Sequence, residues 1–154
     1  SRMLSNPERN LGDDPLLQRV WQQLGRPPRC RAVGGHLRDR LLGRPTKDLD
    51  LAIDGSARQA ETPARRLAAA VGARAHLLGT APHRVWRIET PELTIELWPT
   101  GGLSLDDDVH RRDFTINALS WELPDGPLVD LVGGLADLAA GRVRAPPART
   151  NRPG

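Results

Sequence analysis

Residues 48–53 read Asp48-Leu49-Asp50-Leu51-Ala52-Ile53, and a short way upstream the chain reads Gly34-Gly35-His36-Leu37-Arg38-Asp39. In a β-strand, side chains alternate between faces, so Asp48, Asp50 and Ala52 share one face while Leu49, Leu51 and Ile53 take the other. In a helix the two acids would point almost oppositely. The strand reading therefore yields both an apolar face that can be buried and two carboxylates aimed at one place. Such carboxylates repel each other unless a cation sits between them, and aspartate oxygens suit magnesium. Strand residues two apart lie roughly 6–7 Å apart at Cα, close enough to share a pair of ions on the order of 4 Å apart. The upstream glycine pair opens a basic, helix-like stretch, where backbone N–H groups can approach phosphate. Taken singly, the acids fit a solvated strand face and the glycines an ordinary tight turn. Together they favour a metal site at Asp48 and Asp50, while the glycine pair by itself still reads as a tight turn.

Outward from this core, the chain alternates helical and extended patterns. Asp14-Pro15 reads as an N-cap and first helical residue. Leu16, Leu17, Val20, Trp21 and Leu24 then form one apolar stripe, ended by Gly25. Arg29 to Val33 reads as a strand, His36 to Leu42 as a helix, and Lys47 to Ile53 as the second strand. Thr62-Pro63 reads as an N-cap for a helix from Pro63 to Val71, with an earlier start near Ser56 as the alternative. Ala75–Leu78, Arg84–Glu89 and Leu93–Trp98 read as strands, the last two joined in a hairpin at Pro91-Glu92. Ser104 caps a helical stretch ending in His110, Arg111 and Arg112, and Asp113 to Ala118 reads as a helical turn. Leu119–Leu123 and Pro127–Val129 flank a turn, and Gly134 to Ala140 reads as a last helix. Helices and strands mix without strict βαβ alternation, which predicts an α/β domain with a small mixed sheet and helices packed on it.

The 154 residues suit one domain able to bury a real core. A net charge of +3 and a pI of about 10.3 reflect a basic set in which Lys47 is the single lysine. Such a composition fits GC-rich coding as well as phosphate contact by arginine. Placement says more. Seven Lys/Arg against one acid lie between Arg26 and Lys47, and six acids with no Lys or Arg lie between Glu89 and Asp108. This segregation suits carboxylates that face phosphate-holding arginines. A single cysteine, Cys30, excludes an intramolecular disulfide and fits a reducing, cytoplasmic setting. No stretch approaches the roughly 18–20 apolar residues of a membrane span, so no membrane partner is expected.

Three blocks carry a resemblance. Arg31 to Ile53 (RAVGGHLRDRLLGRPTKDLDLAI) resembles the nucleotidyltransferase signature of the bacterial-class poly(A) polymerase and CCA-adding enzyme head domain. Leu103 to Leu119 (LSLDDDVHRRDFTINAL) resembles that family's second motif, and Val129 to Arg144 the end of its head domain. The resemblance implies a polymerase-β-like nucleotidyltransferase head at residues 29–144. It leaves 1–28 as a leader and helix, and 145–154 as a flexible tail where a neck domain would begin.

Several roles are implied by the resemblance. Asp48, Asp50 and a third acid, Glu96, would be the catalytic carboxylates that hold two Mg²⁺. Gly34, Gly35 and Arg38 would bind the triphosphate. Arg111, Arg112, Asp113 and Asn117 would hold the rest of the nucleotide. Asp39 would orient an arginine or cap a backbone group. The substrates would be ATP or CTP and an RNA 3′-hydroxyl, with a tRNA 3′ end as the acceptor. Rival readings are transfer to a non-RNA acceptor and a non-catalytic RNA- or nucleotide-binding module. Glu96 shares a strand face with Thr94 and Trp98, and Glu92 is its alternative. Here the chain departs from the family pattern: Trp98-Pro99-Thr100-Gly101-Gly102 stands where a short stretch ending in arginine is common.

Overall fold

A computed structural model of the chain describes residues 11–12, 14–81, 84–101 and 119–130. Its elements run α1 (Pro15–Gln23), β1 (Cys30–Val33), α2 (Gly35–Leu41), β2 (Asp48–Ile53), α3 (Glu61–Ala70), β3 (Ala75–Leu78), β4 (Val85–Glu89), β5 (Thr94–Pro99), β6 (Ser120–Glu122) and β7 (Leu128–Val129). The strands form one sheet in the order β3-β4-β5-β2-β1-β6-β7. The β2–β5 pair at its centre is parallel, and the other described pairs are antiparallel. This is the expected α/β architecture of a mixed sheet with packed helices. Among the described residues no helix is long and apolar enough to cross a membrane.

Alternation sorts the sheet into two unlike faces. Cys30, Ala32, Leu49, Leu51, Ile53, Ile95, Leu97, Ile88 and Trp121 bury against Leu17 and Val20 of α1, Leu37 and Leu41 of α2, and Ala64 and Leu67 of α3. Each such leucine contributes about 1.5–3 kcal/mol by leaving water. The other face carries Asp48, Asp50, Thr94, Glu96 and Arg87, with Val33 and Ala52 as a small apolar patch beside them. The core thus acts as a rigid backing for a polar sheet face.

Helix α1 follows its sequence pattern closely. Asp14 Oδ1 accepts the Leu16 amide at 3.0 Å, Leu17, Val20 and Leu24 bury, and Leu16 and Trp21 pack on the core's margin. Helix α3 corrects an expectation, since it begins at Glu61 and has no side-chain cap. Ser56 and Gln59 instead cap the preceding turn reciprocally, the Ser56 amide donating to Gln59 Oε1 at 2.8 Å and the Gln59 amide to Ser56 Oγ at 3.1 Å. Thr62 and Pro63 fall in the first turn, where a missing proline N–H costs no intrahelical bond. The helices expected after Ser104, at Asp113–Ala118 and at Gly134–Ala140, and the tail 145–154, lie outside the described residues.

A polar clamp fixes the far ends of three strands. Arg29 donates to Asp54 Oδ2 at 3.1 Å, Thr100 Oγ1 donates to Asp54 Oδ1 at 3.2 Å, and the Thr100 amide donates to the Ile53 carbonyl at 2.9 Å. The Arg29 hydrogen bond, aided by Thr100, holds the Asp54 carboxyl below the usual carboxylate range against the opposing effect of desolvation.

Candidate functional site

The register of the sheet brings the acids together. On the parallel pair, Asp48 stands level with Thr94 and Asp50 with Glu96. On the other side of β2, Asp50 stands level with Val33, the last residue before the glycine turn. Neighbouring strands lie about 4.8 Å apart, so Asp50 and Glu96 are immediate neighbours on the polar face. Asp48 is exposed, and Asp50 and Glu96 are half-buried. Glu92, the alternative third acid, lies in the exposed turn between β4 and β5 and outside the strand.

The glycine turn presses directly on this row. Gly34 has φ 70° and ψ −144°, a backbone conformation essentially reserved to glycine. A Cβ placed there would lie 3.0 Å from Asp50 Oδ2. Helix α2 starts at the next residue, so its first amides emerge beside Asp50. A Cβ at Gly35 would meet the Arg38 guanidinium at 3.2 Å, which shows that Arg38 folds back over the turn. Asp39 Oδ1 accepts from Arg38 Nε at 3.4 Å and so steadies that guanidinium, one of the two roles expected of Asp39.

Two contacts around this row were not legible as such in the sequence. The first concerns Asp14, whose second oxygen lies 3.4 Å from His36 Nε2 and 3.1 Å from Arg40 Nε. Asp14 and His36 are almost fully buried. Burial pushes the Asp14 carboxyl up, but the His36 hydrogen bond, the Arg40 charge and the Leu16 amide together hold it below the usual range. The N-cap of α1 thereby anchors the first turn of α2, two residues from Gly34. The Asp14-Pro15 signature reveals the cap, and nothing local reveals a partner 22 residues away. The second is Arg87 on β4, level with Glu96, whose Nη2 lies 3.5 Å from Glu96 Oε2. Among the described residues, no three His, Cys, Asp or Glu side chains are gathered so as to hold a metal ion as they stand.

Arg111, Arg112, Asp113 and Asn117 lie outside the described residues. The chain re-enters the sheet at β6, where buried Ser120 stands level with Val33, three strands from Glu96 on the same face.

Residues 30–144 match the family described as the Poly A polymerase head domain. The chain belongs to that family. This head domain is 34% identical over 118 residues to a CC-adding tRNA nucleotidyltransferase of Synechocystis, a match covering 77% of the chain and 28% of that protein. It is 38% identical over 125 residues to an A-adding tRNA nucleotidyltransferase of Aquifex aeolicus, covering 71% of the chain and 15% of that protein. A Thermotoga maritima CCA-adding enzyme complexed with tRNA is similar in structure, with a TM-score of 0.67 at 26% identity over 94% of this chain and 37% of that one. A CCA-adding enzyme in complex with CTP is similar to the same degree, with a TM-score of 0.67 at 26% identity over 94% of this chain and 37% of that one. The head domain spans well under half the length of these relatives.

Proposed function

We propose that this head domain transfers a nucleoside monophosphate from ATP or CTP to an RNA 3′-hydroxyl, with a tRNA 3′ end as acceptor. The observation that carries the reading is the row Val33–Asp50–Glu96, with the Gly34 turn packed against Asp50, in a member of this family. Asp48, Asp50 and Glu96 offer an all-carboxylate oxygen set on one face, the donor chemistry that Mg²⁺ takes. Glu96 is already paired with Arg87 at 3.5 Å, so a metal ion there would displace or share with a guanidinium. Two bound Mg²⁺ would supply Lewis acidity to the attacking and leaving oxygens of an in-line displacement.

The chain's own residues do the positioning. The Gly34–Gly35 amides approach the triphosphate, because no side chain stands between the backbone and the Asp50 carboxylate. Arg38, folded over the turn and steadied by Asp39, pairs with a phosphate oxygen. Arg111, Arg112, Asp113 and Asn117 hold the remainder of the nucleotide. Catalysis on this reading is mostly placement and electrostatics.

The test is extension of tRNA lacking its 3′ end with labelled ATP or CTP, comparing wild type with Asp48→Ala. Loss of incorporation on the order of 100-fold or more is expected. Equal incorporation by both proteins defeats the mechanism, and incorporation into a competing non-RNA acceptor in preference to RNA reassigns the substrate.

A further inference from the structure

Arg87, Glu96 and Asp50 form one continuous cross-strand row over β4, β5 and β2. Asp50 and Glu96 are like charges on adjacent strands, an arrangement that is unfavourable by itself. Arg87 offsets it from the other side, and its guanidinium divides between Glu96 at 3.5 Å and Glu89 at 3.5 Å. Arg87 Nε is buried and has no hydrogen-bond partner. Its Nη1 reaches Glu89 and its Nη2 reaches Glu96, so one guanidinium stands between two acids. His76, level with Arg87 on β3, is exposed.

We propose that Arg87 is a positioning residue that couples metal binding to nucleotide binding, by competing with a divalent cation for Glu96. The inference rests on the metal reading of Asp48, Asp50 and Glu96 given above. A carboxylate oxygen facing a guanidinium is one that a cation has to win. Once a divalent ion takes Glu96, Arg87 loses that partner and its Nη donors turn to the strongest anion on the same face, the triphosphate lying against Asp50. Arg87 thus weakens metal binding without nucleotide and strengthens nucleotide binding once metal is present. Opposite signs for these two effects are not what a purely structural ion pair would give.

The test is calorimetric titration of the protein with Mn²⁺ alone, then with ATP in saturating Mg²⁺. Arg87→Gln is expected to bind Mn²⁺ about three- to fivefold more tightly, the effect of removing one half-exposed charge partner, and to bind ATP more weakly by a similar factor. Glu89→Gln removes the other partner of Arg87, concentrates it on Glu96, and is expected to weaken Mn²⁺ binding. Unchanged or weaker Mn²⁺ binding by Arg87→Gln, at a melting temperature matching wild type, overturns the proposal. If Arg87→Gln melts early, a Glu89→Gln protein that binds Mn²⁺ no more weakly than wild type overturns it instead. Asp50→Asn separates the two readings. If it binds Mn²⁺ like wild type, the metal site itself is wrong; if it loses Mn²⁺ while Arg87→Gln is unchanged, only the coupling is wrong.

Discussion

Gly34 sits so close to Asp50 that a single added carbon would stand 3.0 Å from its carboxylate oxygen. The same residue holds φ at 70°. Gly34→Ala therefore meets backbone strain of about 1–3 kcal/mol and a contact that pushes Asp50 off its place. A lower melting temperature together with weaker Mg²⁺-dependent ATP binding is expected, measured by thermal denaturation and calorimetry. Full ATP affinity in a folded Gly34→Ala protein would show that the turn does not touch the nucleotide.

Asp14 gives a pH signature. Its folded-state carboxyl is held below the ordinary value of 3.8, so its contribution to stability is present above that pH and fades as pH falls through the lower folded value. Asp14→Asn is expected to cost about 2 kcal/mol near neutral pH, from loss of charged hydrogen bonds. The difference from wild type should shrink below pH 3.8, as read by urea melts at pH 7 and pH 3.

Cys30 lies wholly inside the core, where burial pushes its thiol up to about 12. The thiolate is the reactive form, so a disulfide reagent at pH 8 should leave the folded protein unmodified. Reaction should appear only as denaturant unfolds it, with a midpoint matching that of circular dichroism.

Leu51 follows Asp50 on β2, points into the core on the opposite face and is fully buried. Leu51→Ala should cost about 3 kcal/mol by leaving a cavity. Because its backbone pairs with Ala32 and Leu97, nucleotide affinity at temperatures well below the melt should fall by much less than for Asp50→Asn. Equal losses for the two would mean that the acids act only through the fold.

The two central strands were legible because each has one apolar and one polar face. Asp48–Ile53 and Thr94–Pro99 announce themselves by alternation, and that alternation is what puts Glu96 on the same kind of face as Asp50. Their adjacency was not legible, since a parallel pair between β2 and β5 depends on how α3, β3 and β4 return the chain, and no local signal encodes that. Arg87 was within reach of a simple count. A hairpin centred on Pro91-Glu92 sets Arg87 opposite Glu96, the register found, yet an arginine on a half-exposed strand reads as ordinary surface. The Asp14 anchor could not be counted at all, because its partners come from a helix whose docking is decided by the core.

Because β2 and β5 lie side by side in parallel, the two carboxylate-bearing strands are remote in sequence and joined only by the finished sheet. No stretch of this chain carries the constellation by itself. A protease cut in the connection between them would leave Asp48 and Asp50 on one piece and Glu96 on the other, and on the metal reading chelating power would return only on reassociation. On the proposed reading the centre is a reporter of completed topology: a chain that has not closed its long-range pairing presents scattered carboxylates and has no place to hold a triphosphate.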